Sequence, residues 1–498
     1  MKKYVPILIL IFASLFFYTA TLRGEQGNFN TTNDIKRLYY DQGPFESSHE
    51  KSSYAQMIAI AQTHSVSFPQ PWADFGASDV GFYKGKFYSF FPPGVSAVVV
   101  PLYLIGRHFN LGQLFSYATV PFFAILGLIF VFKIANEIFK MPRWASLFAS
   151  LTFGFATTAW GYSVTIYQHI FAAFFIVIMF YAAWRYRQKQ KKSWLWASLV
   201  WGMYGISIFF DYPNGIILFP IIVYLFASGF TFNQNDSISK IHLDKSFVLT
   251  SLIFITILGS FFYYNQVVFG NWKLLHNSLP GYEITNYKQL LLENEAIAEK
   301  KSDVAQIFKD RFFPKNFLIF LFSRNRGIFY YSPIFFLAIL GLIALGKRMT
   351  IEIATLCAVV AVTLFLYCSF ADSWGGYAYG SRYLIPIMPV LSIFVASWVN
   401  QTRYKFVATV LFLYSGAVAL LGALISNMIP QGYRPVINND FFLNVNLMKE
   451  GLSGSFVYNN FFIDDISLVH YFFVIYGFLL VTVIFVLFIL PRYDNAED

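Results

Sequence analysis

Val469-His470-Tyr471-Phe472-Phe473-Val474-Ile475-Tyr476-Gly477-Phe478-Leu479-Leu480-Val481-Thr482-Val483-Ile484-Phe485-Val486-Leu487-Phe488-Ile489-Leu490 contains no Asp, Glu, Lys or Arg. A run of roughly 20 apolar residues is the length an α-helix needs to cross about 30 Å of hydrocarbon. Val5 to Leu22 is a second such block near the other end. Working inward, the same criterion marks about twelve stretches, near 5–22, 114–136, 143–160, 166–185, 194–210, 213–231, 246–268, 327–346, 351–371, 381–400, 404–427 and 468–490. Composition agrees: the 498 residues are 57% hydrophobic and only 12% charged. A soluble domain of this size must show more charge to water. The expected fold is an all-α polytopic membrane protein, with residues 1–498 as a single membrane domain.

The net charge of +10 raises nucleic acid as a partner, but its distribution argues against one. No basic stripe interleaves with aromatics on a soluble element. The basic residues instead crowd short turns: Lys133, Lys140 and Arg143; Arg185, Arg187, Lys189, Lys191 and Lys192; Lys240 and Lys245; Lys347 and Arg348; Arg403 and Lys405; and Arg492. When the helices alternate, all of these fall on the side of Lys2 and Lys3. The positive-inside rule makes that side cytoplasmic, with both termini there. The 60 Phe and 33 Tyr suit lipid-facing surfaces and interfacial belts. Cys357 and Cys368 sit in one apolar block, about 16 Å apart along a helix, too far for a disulfide. The N-terminal apolar run shows no clear cleavage site and reads as an uncleaved first helix in a plasma or inner membrane.

Three long loops, 23–113, 269–326 and 428–467, fall on the outer side, which is where function is expected. In the first, Ser47-Ser48-His49-Glu50 has capping-box spacing. Tyr54, Met57, Ile58 and Ala61 then recur at helical period, predicting a helix lying on a surface. Pro92-Pro93-Gly94 opens a second apolar segment, Val95 to Arg107, too short to span and read as another interfacial helix.

Outward-facing ionisable residues are the candidates for chemistry. Glu50 is either a helix cap or a catalytic acid. Asp79 precedes a turn, a position Asp favours for local reasons, and Asp74 has the same reading. Asp211 sits at a helix end between apolar segments. Asp372-Ser373-Trp374-Gly375-Gly376-Tyr377-Ala378-Tyr379-Gly380-Ser381-Arg382-Tyr383 combines a glycine turn with flat aromatic faces. Arg382, on the side where topology disfavours basic residues, suits bidentate grip of a phosphate. Ser323-Arg324-Asn325-Arg326-Gly327 is similar. His169, near an outer helix end, reads more simply as a packing residue. No phosphate loop, dinucleotide fingerprint, H-E-x-x-H, C-x-x-C or nucleophile elbow occurs.

Four segments together resemble the GT-C fold glycosyltransferases that use lipid-phosphate sugars, a group that includes protein mannosyltransferases and aminoarabinose transferases. They are His49-Glu50-Lys51-Ser52-Ser53-Tyr54-Ala55; Gly85 through Tyr88 to Phe91-Pro92-Pro93-Gly94, with Val100-Pro101-Leu102-Tyr103; Phe322 through Ser332-Pro333; and Trp374-Gly375-Gly376 through Arg382-Tyr383-Leu384-Ile385-Pro386. The resemblance runs over nearly the whole chain. It implies inverting transfer of a sugar from a polyprenyl-phosphate donor to an extracytoplasmic protein, lipid or glycan acceptor. Carried over by motif, Glu50 is the first choice for general base and Asp79 the second. Arg382, with Arg324 or Arg326, would hold the lipid phosphate, and Tyr88, Asp372, Trp374 and Tyr383 would line the substrate site. Two departures stand out: Phe91 where relatives often have lysine, and His49-Glu50 where they often have Asp-Glu. Some relatives use a divalent metal and others do not. The sequence shows no compact ligand set, so no metal or other cofactor is assigned.

The topology suits the chemistry. Nucleotide sugars are cytosolic, so an outward-facing enzyme needs a donor that crosses with the membrane. Two alternatives stay open: a transporter or flippase of lipid-linked intermediates, which calls for mid-membrane charges and matched broken helices, and a non-catalytic scaffold or a polymerase or ligase of surface glycans.

Overall fold

The computed structural model describes residues 5–35, 44–189, 192–233, 240–243, 245–282, 313–346, 349–370, 375–402, 404–428 and 439–494. It is an all-α polytopic membrane fold. Eight helices are long and apolar enough to cross a bilayer: Gly112–Ile138, His169–Arg187, Ser193–Phe210, Phe247–Phe269, Ile351–Cys368, Arg382–Gln401, Lys405–Leu424 and Leu468–Arg492. Each falls on a stretch expected to span. The other four expected stretches are helical but shorter or interrupted.

The interruptions have local causes. Between Arg143–Phe155 and Ala159–Ser163, the Thr157 hydroxyl donates to Phe153 O at 2.7 Å and accepts from Ala159 N at 3.2 Å. It thus competes with the backbone ladder. Asn214–Ile217 gives way to Phe219–Gly229 next to Pro220, and Ile328–Tyr331 ends before Pro333, because proline lacks the amide that would continue the ladder. Around Pro386 the chain winds as a 3-10 helix, Arg382–Ile387, before Met388–Gln401 becomes α-helical.

Burial separates central from peripheral helices of similar composition. The apolar window of His169–Arg187 is 89% buried, whereas that of Phe247–Phe269 is 17% buried. A helix apolar on all sides must be enclosed by protein or by lipid. Leu249, Ile255, Tyr263 and Val267 are among the large side chains the second helix leaves to lipid.

The segment 44–113 is more structured than its sequence suggested. The expected helix forms as Ser48–Thr63 and the expected Pro-Pro helix as Gly94–Arg107. Two features were not anticipated: a short helix, Gln70–Phe75, and a three-stranded antiparallel sheet in the order Ser67–Phe68, Lys86–Ser89, Val80–Tyr83. The hairpin turns through Lys84 and Gly85 at φ 48° and 75°, the two left-handed positions of a tight hairpin turn. Gly81 pairs in turn with Gly281, so the start of the next long loop adds to this sheet. Ser48–Thr63 is enclosed: the face carrying Glu50, Tyr54, Met57 and Ile58 is buried, and so are Ser52 and Gln56 on the opposite side and Ser53 between. Ser96 Oγ donates to Ser53 O at 2.9 Å, and the Ser52 and Ser89 hydroxyls meet at 3.1 Å. Most of the second long loop (283–312) and part of the third (429–438) lie outside the described residues.

Helix Phe336–Gly346 lies directly against Met388–Gln401. A Cβ on Gly341 would stand 1.8 Å from Phe394 O, so the two backbones meet as small residues allow between membrane helices. Gly341→Val is expected to destabilise the protein by about 1–3 kcal/mol, read as a lower melting temperature in detergent. An unchanged melting temperature would show that this pair of helices does not pack as described.

Candidate functional site

The site is built on the first turn of Ser48–Thr63. Ser47 caps it, its hydroxyl accepting from Glu50 N at 3.2 Å. The same hydroxyl meets Tyr167 OH at 2.5 Å. The reciprocal half of a capping box does not form. Glu50 Oε2 instead accepts from Glu46 N at 2.8 Å, and Oε1 accepts from Ile166 N at 3.3 Å. Glu50 is 0% exposed. Burial, and then the negative charge of Glu46, push its carboxyl up to about 8, because a buried carboxylate lacks water to stabilise its charge.

Glu46 and Arg23 were not singled out in the sequence. Arg23 Nη1 meets Glu46 Oε1 at 2.5 Å, and Nη2 donates to Gly422 O at 3.2 Å and Ala423 O at 3.3 Å. Asn427 N donates to both Glu46 oxygens, at 3.2 and 3.0 Å, while Asn427 Nδ2 donates to Gly161 O at 2.6 Å. One signal was available: Arg23 ends the first apolar block on the side where basic residues are disfavoured.

Next to this turn aromatic rings cluster around Arg382. His49 stacks on Phe91 at 3.5 Å and meets Tyr167 edge-on at 4.8 Å. His169 faces Tyr162, Tyr167 and Tyr383, with ring centroids 6.1, 6.3 and 5.9 Å away. Tyr383 stacks on Tyr367 at 4.6 Å. The Arg382 guanidinium lies over the Tyr383 ring, 5.1 Å from its centre, with Nη2 3.5 Å from the Tyr383 hydroxyl. Arg382 Nε is buried without a hydrogen-bond partner among the described residues. The Arg382 charge reaches His49, Tyr162, Tyr167 and Asp211. Burial first, then the charge of Arg382, hold His49 well below the ordinary histidine value, so it is neutral. The cluster therefore holds a half-buried cation among aromatic rings and a neutral imidazole, with Asp211 within reach of its charge, and the guanidinium is suited to take an anion.

The remaining candidates divide. Asp79, half-buried, accepts a short hydrogen bond from the Ser48 hydroxyl and so stands beside the same helix turn. Tyr88 is buried in the sheet against Phe269. Arg324 is exposed. Arg326 is 2% exposed and pinned: Nη1 meets Asp440 Oδ2 at 2.7 Å and donates to Asn325 O at 2.7 Å and, more closely, to Ala378 O, while Nη2 donates to Gly376 O at 2.5 Å. Its guanidinium ties the Gly376–Ala378 turn to Asp440. Asp74 accepts from Tyr282 OH. Asp372 and Trp374 lie outside the described residues. Among the described residues no three His, Cys, Asp or Glu side chains converge as metal ligands would.

No protein-family model matches this sequence, and no curated protein does. Solved structures do. ArnT from Cupriavidus metallidurans in the apo state superposes with a TM-score of 0.52 at 14% identity, covering 98% of this chain and 78% of that one. The same protein bound to undecaprenyl phosphate gives 0.52 at 13% identity, over 97% and 76% of the two chains. The apo oligosaccharyltransferase of Archaeoglobus fulgidus gives 0.48 at 12% identity; 93% of this chain is covered but only 60% of that one, so this chain spans less than two thirds of its length. The likeness to ArnT shows a shared fold, the GT-C fold of membrane glycosyltransferases. The chain is an integral membrane protein.

Two outcomes follow from the buried charges. Asp440→Asn leaves the Arg326 cation buried without its counter-charge and is expected to destabilise the protein by about 3–5 kcal/mol, seen as loss of folded yield or a lower melting temperature; a normal melting temperature would contradict the pairing. Glu50 binds its proton more tightly folded than unfolded. Its contribution to stability is full below the ordinary glutamate value and is lost as pH rises through about 8. Glu50→Gln should therefore flatten the fall in melting temperature between the ordinary glutamate value and about pH 8; a fall identical to wild type would contradict the buried, protonated carboxyl.

Proposed function

We propose that this protein transfers a sugar from a polyprenyl-phosphate donor to an extracytoplasmic acceptor, with inversion at the anomeric carbon. The observation that carries the reading is Arg382, a cation whose buried Nε has no hydrogen-bond partner among the described residues, set in an aromatic cluster close to the helix turn that carries Glu50 and meets Asp79. The shared fold supports it, as does the undecaprenyl phosphate bound to ArnT.

In this reading the donor's phosphate lies against Arg382. The acceptor hydroxyl or amine attacks the anomeric carbon from the opposite face, a carboxylate takes its proton, and the bond from anomeric carbon to phosphate oxygen breaks. The lipid phosphate leaves with the electron pair, and the guanidinium stabilises the charge that develops on it. We assign the base to Asp79. It is half-buried, while Glu50 is enclosed, holds two backbone amides and is protonated at neutral pH. Glu50 then supports the turn, reversing the order of preference drawn from motifs. Both termini are assigned to the cytoplasm and the Arg382 cluster to the opposite face.

The test is transfer of labelled sugar from polyprenyl phosphate in proteoliposomes, across several sugars and acceptors. Asp79→Asn is expected to slow transfer by about 10²–10⁴-fold and Arg382→Ala by about 10²–10³-fold. Glu50→Gln should retain measurable transfer, with no rate increase as pH rises through 8. A wild-type rate that climbs through pH 8 and vanishes in Glu50→Gln would return the base to Glu50. No transfer by wild type with any donor would overturn the reading.

A further inference from the structure

Four buried polar atoms of Arg382 and of the residues its charge reaches or that adjoin them have no hydrogen-bond partner among the described residues: Nδ1 and Nε2 of His169, Oε1 of Gln168 and Nε of Arg382. His169 is 1% exposed and Gln168 8%. The Gln168 side chain lies beside Asp211 and favours its charged form, as an amide N–H turned toward a carboxylate does, which leaves its carbonyl oxygen as the unsatisfied end. His169 and Arg382 share the Tyr383 ring, 5.9 Å from the imidazole and 5.1 Å from the guanidinium carbon. Leaving such groups unpaired in a buried site is unfavourable, and native structures rarely do so without a reason.

The pattern of donors and acceptors specifies the occupant. Arg382 Nε donates. Gln168 Oε1 accepts. A neutral imidazole offers one N–H and one lone pair. The occupant must therefore present acceptors and donors together, which a bare phosphate monoester does poorly and a sugar phosphodiester does well. We propose that His169 and Gln168 form the sugar subsite of the donor, His169 bridging a phosphate oxygen held by Arg382 and a hydroxyl of the sugar, with Gln168 Oε1 accepting from a second hydroxyl. The proposal rests on the glycosyltransferase reading above and adds the residues that distinguish a loaded lipid carrier from an empty one. In the sequence His169 reads as packing, and its three tyrosine neighbours do pack on it, but none satisfies its nitrogens.

The test is equilibrium binding to the full-length protein in nanodiscs, with undecaprenyl phosphate and with the same lipid phosphate carrying mannose or glucose. The variants are His169→Phe, which keeps the ring packing and removes both nitrogens, and His169→Gln, which restores one donor and one acceptor. Melting temperature checks the folding of each. His169→Phe is expected to weaken binding of the glycosylated lipid by about tenfold to a hundredfold and that of the bare lipid phosphate by less, with partial recovery in His169→Gln. Equal affinity of wild type and His169→Phe for the glycosylated lipid would overturn the subsite while leaving the transferase reading intact, as water alone on these atoms would give. An equal loss for both lipids would overturn the sugar contact. Failure of wild type to bind either lipid would overturn the subsite and the transferase reading together.

Discussion

The arrangement of the candidate site depends on one buried ion pair, Arg23 with Glu46. It joins three parts of the chain: the end of the first helix, the segment leading into Ser48–Thr63, and the end of Lys405–Leu424, through Gly422 O, Ala423 O and Asn427 N. A buried pair of this kind is stable only when its remaining hydrogen-bonding capacity is met, and removing one partner is far more damaging than replacing both. Here backbone groups meet much of it. The same pair sets the electrostatics of the helix turn, because the Glu46 charge adds to burial in keeping Glu50 protonated. A carboxyl protonated at neutral pH supports structure more readily than it abstracts protons, which is why the base is proposed to be Asp79, hydrogen-bonded to Ser48.

A second pinned arginine shows the same economy of design. Arg326 ties the glycine turn Gly376–Ala378 to Asp440, and the chain leaving that turn delivers Arg382 and Tyr383 to the aromatic cluster. Arg326, the less favoured of the two arginines in the sequence, shapes the loop, and Arg382 is the one proposed to meet the lipid phosphate. Their environments separate them: Arg326 has a carboxylate and three carbonyls around it, while Arg382 has rings, a distant charge and a buried nitrogen without a hydrogen-bond partner among the described residues.

Much of the fold was legible because bilayer thickness imposes a length on apolar segments, and eight long helices fall where the apolar runs are. Even the interruptions at Pro220, Pro333 and Pro386 follow from proline chemistry. The capping-box spacing at Ser47 located the key helix, although Glu50 turned to Glu46 N and Ile166 N instead of closing the box. The sheet of segment 67–89 was hidden because its strands are two to four residues long, too short to show alternation. The site was less legible for a different reason. Glu46 meets Asn427 across 381 residues and Arg326 meets Asp440 across 114; such pairings leave no local pattern, so each residue reads alone as a generic charge. His169 reads as packing in the sequence because whether a buried nitrogen has a partner is visible only in three dimensions.

The central claim is that a lipid phosphate docks at Arg382. The most direct measurement is a cryo-EM structure of the protein in nanodiscs with undecaprenyl phosphate. The account predicts phosphate density within hydrogen-bonding distance of the Arg382 guanidinium, among the rings of His49, Tyr167, His169 and Tyr383. Phosphate density elsewhere, with none at Arg382, would contradict it.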